Sequence, residues 1–234
     1  MDFSELLNSC SDLEECLKKL NELIDKDEGN YIYYLFRALI LKNLGRYEEC
    51  LSDLNTIIEN GHESSLIWNF KGKILNKLGR FREAIEAFDK SLNYYESVEA
   101  LMGKYYALMN LGRYDEALEC LNKILKLSPN DYFANLHKIR WLVATGGVDE
   151  ALITIKKILS INPKDTTALF LAGILYMKLK RFEKAIEYFK KVLEINKNHI
   201  EAKIGLALCY EKLGDHEKAV EYCNSVFETY EKYE

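Results

Sequence analysis

Leu78-Gly79-Arg80-Phe81-Arg82-Glu83-Ala84 is the stretch that decides the fold. It returns, with variations, as Leu44–Cys50 (LGRYEEC), Leu111–Ala117 (LGRYDEA), Thr145–Ala151 (TGGVDEA), Leu179–Ala185 (LKRFEKA) and Leu213–Ala219 (LGDHEKA). The step between copies is 34 residues every time but one, where it is 33. A fixed period of this size marks an array of stacked repeats, each too small to bury its apolar face alone. Within a copy, the glycine suits the left-handed residue that ends one helix. The aromatic two residues later can fill the angle between helices, and the small Ala or Cys lets the second helix come close.

An apolar-periodic segment of helical phase lies on each side of every turn. Polar links separate successive pairs, and Pro129 and Pro163 stop the helices before them. Full repeats therefore fall at 31–64, 65–97, 98–131, 132–165, 166–199 and 200–233, in a single array over 1–234. Residues 1–30 form an incomplete first repeat. There Phe3, Leu6 and Leu7 predict a short helix, and Ser11 with Glu14 reads as a capping box for a second. The fold class is all-α.

A formal net charge of -5 argues against nucleic acid as the default partner. No run of 18 apolar residues is present, and Met1-Asp2-Phe3-Ser4-Glu5 lacks the basic and apolar regions of a signal peptide. The expected location is the cytoplasm. Cys10, Cys16, Cys50, Cys120, Cys209 and Cys223 show no CxxC spacing and read as small buried hydrophobes in a reducing compartment. A Cys209–Cys223 bridge across the last hairpin is the one pairing considered.

The pattern resembles the tetratricopeptide repeat. Repeat 65–97 carries Trp68, Gly72, Gly79, Phe81, Ala84 and Phe88 at the family's aromatic, small and turn positions. Repeat 166–199 carries Gly173, Tyr176, Phe182, Ala185 and Phe189, and Pro129 and Pro163 stand at the proline position. The resemblance implies a right-handed superhelical solenoid of stacked antiparallel helix pairs, with first helices lining the concave side. Tyr105 and Ile139 replace a small residue, so looser packing is expected there, and Lys180 replaces the turn glycine. Pentatricopeptide repeats, which bind single-stranded RNA, are the competing match.

No residue pattern carries catalysis. Gly61 and Gly72 lack the spacing of a phosphate-binding loop, and His62, His137, His199 and His216 fall in different repeats. Neither a metal nor a cofactor is expected, and the chain reads as a non-enzyme.

Charge divides between the two helices of each hairpin. The first helices between residues 31 and 181 carry one acid, Glu99, against Arg37, Lys42, Lys71, Lys73, Lys77, Lys104, Lys138, Arg140 and Lys178. The acids gather in the second helices. On the implied geometry, a basic and apolar groove lies opposite an acidic back. Arg37, Lys71, Lys104 and Lys138 recur at one repeat position, as a ladder for a partner's carboxylates or phosphates or as long stems packed between helices.

The stripe expected to face the groove includes Leu35, Leu39, Asn69, Lys73, Asn76, Met102, Tyr106, Phe133, Arg140, Phe170 and Ile174. Apolar anchors around a polar centre suit a helical or extended protein segment with acidic groups. The carboxylate clamp by which some family members hold chaperone tails is not met, because Asn69 and Lys73 stand in the reverse order. The expected role is thus a non-catalytic protein-interaction scaffold. Its alternatives are a self-assembling protein stacked through uncapped ends and an RNA binder. Tyr222, Val226, Phe227 and Tyr230 are the residues expected to be partly uncovered at the last repeat, where a homo-oligomer would form.

Overall fold

A computed structural model describes residue 5 and residues 10–231. Residues 10–231 hold thirteen helices in sequence: α1 (Leu13–Lys26), α2 (Tyr31–Asn43), α3 (Tyr47–Glu59), α4 (Ser65–Lys77), α5 (Phe81–Tyr94), α6 (Val98–Asn110), α7 (Tyr114–Leu127), α8 (Tyr132–Thr145), α9 (Val148–Ile161), α10 (Thr166–Lys178), α11 (Phe182–Ile195), α12 (Ile200–Leu213) and α13 (His216–Glu231). No strand occurs among the described residues, and none of these helices is long and apolar enough to cross a membrane. The chain divides into two compact units, Met1–Pro129 and Asn130–Glu234. The first holds α1 to α7, with hairpins α2/α3, α4/α5 and α6/α7; the second holds α8/α9, α10/α11 and α12/α13.

Local chemistry fixes where the helices start. Asn30, Ser64, Ser97, Asp131, Asp165 and His199 each accept a backbone N–H from the first turn of α2, α4, α6, α8, α10 and α12. Such caps satisfy donors that a helix N-terminus leaves without partners. At α1 the cap is Asp12, one residue beyond the expected Ser11. Its carboxylate accepts from Glu15 N at 2.8 Å, while the Glu15 carboxylate accepts from Ser11 N and Oγ at 2.7 Å. Ser11 thus gives up the cap to Asp12 and is held instead by the Glu15 carboxylate, one residue outside the usual capping box. The helix expected at Phe3, Leu6 and Leu7 lies outside the described residues.

The turns are tight. Gly79 has φ 73°, and Lys180 holds the same left-handed conformation at φ 57° without being glycine. After the turn, Arg46, Arg80 and Arg113 clasp Glu49, Glu83 and Glu116 three residues on, with Nε–Oε1 distances of 2.6, 2.7 and 2.6 Å.

Two phenylalanines organise the core. Phe88 and Phe189 are fully buried. A Cβ built on Gly72 or Gly103 would meet the Phe88 ring, and one on Gly173 or Gly205 would meet the Phe189 ring. Where the first helix carries bulk instead, the second helix gives it up. Tyr105 is buried and its hairpin has Leu121 at the phenylalanine position; Ile139 is buried in one cluster with Ile155 at that position. The volume moves from one helix to the other, and α6/α7 closes like its neighbours, while α8/α9 stays the most loosely packed of the six hairpins, as expected from Ile139.

The cysteines do not form one class. Cys50, Cys120 and Cys209 are buried thiols. Burial pushes the Cys50 thiol up to about 12 and the Cys209 thiol up to about 11, and Cys50 Sγ donates to Ala38 O at 3.2 Å. Cys16 is buried as expected, but it and Cys10, expected to be reduced, are joined by a disulfide. Their Cα atoms lie 5.5 Å apart, within bridging range, because the chain turns at Asp12 into α1. Cys223 is exposed on α13, and it and Cys209 are both free.

Candidate functional site

In the N-terminal unit the first-helix face is built by α2, α4 and α6. Leu66 is its most open apolar side chain at 76% exposed, followed by Tyr106 at 53%; Ile32 and Met109 are also exposed. Leu35, Leu39 and Met102 are half-buried, and the Tyr106 ring meets the edge of Phe81 at 6.1 Å.

A polar cluster sits among these apolar groups. Asn69 is buried, and its Nδ2 donates to Glu99 Oε2 at 2.9 Å. The exposed Lys73 ammonium donates to the other oxygen of the same carboxylate, Glu99 Oε1. The Lys73 bond, more than that from Asn69, holds the Glu99 carboxyl below the usual carboxylate range. Asn76 is half-buried, and its Nδ2 donates to Gly103 O at 2.9 Å. The Oδ1 atoms of Asn69 and Asn76 are buried without a hydrogen-bond partner.

In the C-terminal unit the corresponding face is built by α8, α10 and α12. Phe133 is 64% exposed and Arg140 is exposed. Phe170 and Ile174 are half-buried and pack partly into the core, with the Phe170 ring 5.7 Å from Phe189 and 5.1 Å from His199. Ile204 and Leu208 add exposed apolar surface on α12. Lys178 is satisfied internally, its ammonium donating to Val143 O at 2.6 Å.

All four ladder bases have intramolecular partners. Arg37 clasps the buried Asp53 of α3 through Nε and Nη2 at 2.9 and 2.6 Å. Lys104 reaches Asp89 of α5 at 2.5 Å, and Lys138 reaches Glu150 of α9 at 2.6 Å. Lys71 lies over the Trp68 ring at 5.0 Å, and burial pushes its ammonium pKa down. Arg37 and Asp53 help to line a cleft of about 420 Å³ between α1 and α3, and Lys104 helps to line one of about 370 Å³ between α5 and α7. Arg37, Lys104 and Lys138 therefore tie a first helix to a second helix, whereas Lys71 rests on a ring of its own helix.

The sequence reading placed Glu99 on the stripe and singled it out as the lone acid, without pairing it to Asn69 and Lys73. It placed Leu66 and Met109 on the stripe too, and stopped short of Ile204 and Leu208, which stand at the same positions of the last repeat. Among the described residues, no group of three or more His, Cys, Asp or Glu side chains is arranged to hold a metal ion.

Models of the tetratricopeptide repeat match residues 37–94 and 71–132, 108–171, and 165–232. The chain is a tetratricopeptide repeat protein. Its fold is the all-α helical-repeat solenoid of that family. It is similar to the structure described as "YrrB: a TPR protein with an unusual peptide-binding site", with 23% identity and a TM-score of 0.67 over 78% of this chain and 95% of that one. It is similar also to MamA residues 41-end from Desulfovibrio magneticus RS-1, with 25% identity and a TM-score of 0.66 over 72% of this chain and 96% of that one. A further MamA structure has 26% identity and a TM-score of 0.64 over 69% and 95%. Comparison with curated proteins gives no match.

Proposed function

We propose that this tetratricopeptide protein is a non-catalytic scaffold that holds a segment of a partner protein against its first-helix faces. The observation that carries the reading is the set of large apolar side chains left open there: Leu66 and Tyr106 on one unit, and Phe133, Ile204 and Leu208 on the other. Spaced apolar anchors on a helix face are what an amphipathic or extended segment docks on. Exposed Lys42 and Arg140 favour acidic groups in the partner. The peptide-binding site named for YrrB agrees with this reading. The test is capture of partners from the source cell by wild type, Leu66→Glu/Tyr106→Glu and Phe133→Glu proteins. The variants are expected to keep their helical circular dichroism and lose the captured proteins. Unchanged capture by both would exclude the first-helix faces.

Self-association is the second reading, favoured by Val220 and Phe227 on α13, which are 58% and 67% exposed. Light scattering across a concentration series checks it: mass that rises in wild type and stays monomeric in Phe227→Lys supports it, and a constant monomer mass removes it.

A further inference from the structure

We propose that the Cys10–Cys16 bridge is a reversible thiol–disulfide latch that sets how firmly α1 is held on the N-terminal unit. The two cysteines are six residues apart, and the ring they close spans the start of α1. Inside that ring lie the Asp12 cap and the bonds from Ser11 to the Glu15 carboxylate. α1 buries Cys16, Leu17, Leu20 and Ile24 and packs on α2. Its exposed Glu14, Lys18 and Asn21 help to form the cleft of about 420 Å³ between α1 and α3. There Arg46 reaches Glu14 at 3.4 Å and Arg37 reaches Asn21 at 2.7 Å. A tether at the start of α1 therefore acts on both its packing face and its wall of the cleft.

The two sulfurs differ in access. Cys10 is half-buried, whereas Cys16 is 1% exposed. A small thiolate such as that of glutathione attacks Cys10 Sγ. A glutathione–Cys10 disulfide forms, and Cys16 leaves as a thiolate that takes a proton from water. A second glutathione thiolate attacks the glutathione sulfur of this mixed disulfide, forms glutathione disulfide and releases Cys10, which is protonated in turn. The bridge thus gains two electrons and two protons, and glutathione disulfide drives the reverse sequence. Once reduced, Cys16 is a small buried thiol, a state the core already accepts at Cys50, Cys120 and Cys209. Burial holds the Cys50 and Cys209 thiols well above the usual range, which keeps them out of the exchange. Cys223 is exposed and free, so it takes up glutathione without closing a bridge. Opening the latch therefore leaves the packing of α1 in place and returns freedom to the chain that enters it.

The experiment equilibrates the full chain in a series of buffers of reduced and oxidised glutathione, quenches it with acid and alkylates it with N-ethylmaleimide under denaturing conditions. The tryptic peptide that ends at Lys18 contains both cysteines, and it carries no maleimide when bridged and one on each cysteine when reduced. Amide exchange is followed in parallel. The peptide is expected to pass reversibly between the two states. Exchange in the opening turns of α1 is expected to be about tenfold faster in the reduced form, because a short ring has been opened. Exchange in α4 to α7 should be equal in both forms. Cys10→Ser should show the fast rate in every buffer, and Cys223→Ser should respond as wild type does. A peptide that stays bridged or stays reduced across the whole series, equal α1 exchange in the two forms, or a response that survives in Cys10→Ser would overturn the proposal.

Discussion

Gly103 lies against the ring of Phe88 so closely that a Cβ on the glycine would stand 2.3 Å from the ring's Cζ. Gly72 closes on the same ring from its own helix, where a Cβ would stand 2.7 Å from Cε1. The ring thus has no room to retreat. Gly103→Ala gains about 1 kcal/mol of helix propensity but overpacks a fully buried aromatic, at about 1–3 kcal/mol or more with both sides closed. A net loss of about 1–2 kcal/mol is expected, seen as a lower urea midpoint, with partial recovery in Gly103→Ala/Phe88→Leu. A neutral or stabilised Gly103→Ala protein would mean that the ring does not set the spacing of α4 and α6.

Lys180 sits at φ 57°, where a side chain strains the backbone, and five of the six turns place glycine at this position. Lys180→Gly should therefore raise the denaturation midpoint, by about 1 kcal/mol in stability. The reverse change at Gly79 tests the same cause. A Cβ there meets nothing within 4 Å, so Gly79→Ala loses about 1 kcal/mol through φ alone. Shifts of the same sign in the two variants would refute the backbone explanation.

The period and the starts of the first helices were legible because both rest on local chemistry. A turn glycine, a stop such as Pro129 or Pro163, and apolar residues at helical spacing act within a few positions of one another. What faces what across helices was not legible. Asn69 and Lys73 find their partner 30 and 26 residues away, and Lys104 finds Asp89 on the preceding hairpin. Repeat position gives the direction of a side chain but not whether a neighbour can neutralise it. Tyr105 in place of a small residue shows the same limit. It signals loose packing when one helix is read alone, and a transfer of volume once Leu121 is seen at the position that Phe88 holds in its own hairpin.

Arg37 and Asp53 give a pH-dependent test. The Asp53 side chain is 4% exposed, and burial holds its carboxyl above the usual range even with the guanidinium beside it. Arg37→Ala would leave that carboxylate buried and unpaired and push its pKa further up, with a loss of about 3–5 kcal/mol at neutral pH. An acid whose folded pKa lies above its unfolded value of about 3.9 adds no penalty below the unfolded value. The penalty grows as pH rises above the unfolded value and is complete once pH has passed the folded one. The gap between Arg37→Ala and wild type should therefore narrow as pH falls from neutral towards the unfolded value, as read from urea midpoints. Arg37→Ala/Asp53→Leu should recover most of the loss. A gap independent of pH would place the role of Arg37 in its packing stem alone.

Lys203 ties the end of the last hairpin. It is buried on α12, and its ammonium donates to Ser225 O at 2.9 Å and Thr229 Oγ1 at 2.6 Å on α13. Thr229 Oγ1 in turn donates to Ser225 O at 2.7 Å, so one cation and one hydroxyl secure the same carbonyl. A cation near the C-terminal turns of a helix is favoured by the helix dipole, and its bonds are stronger than neutral ones. Lys203→Met keeps the apolar stem and removes both donated bonds. Amide exchange in the last two turns of α13 should then speed up about tenfold, the change expected from about 1.4 kcal/mol of local stability. Exchange in α10 and α11 should stay as in wild type. Uniform acceleration across α10 to α13 would instead mean that Lys203 supports the whole hairpin stack rather than its terminal turns.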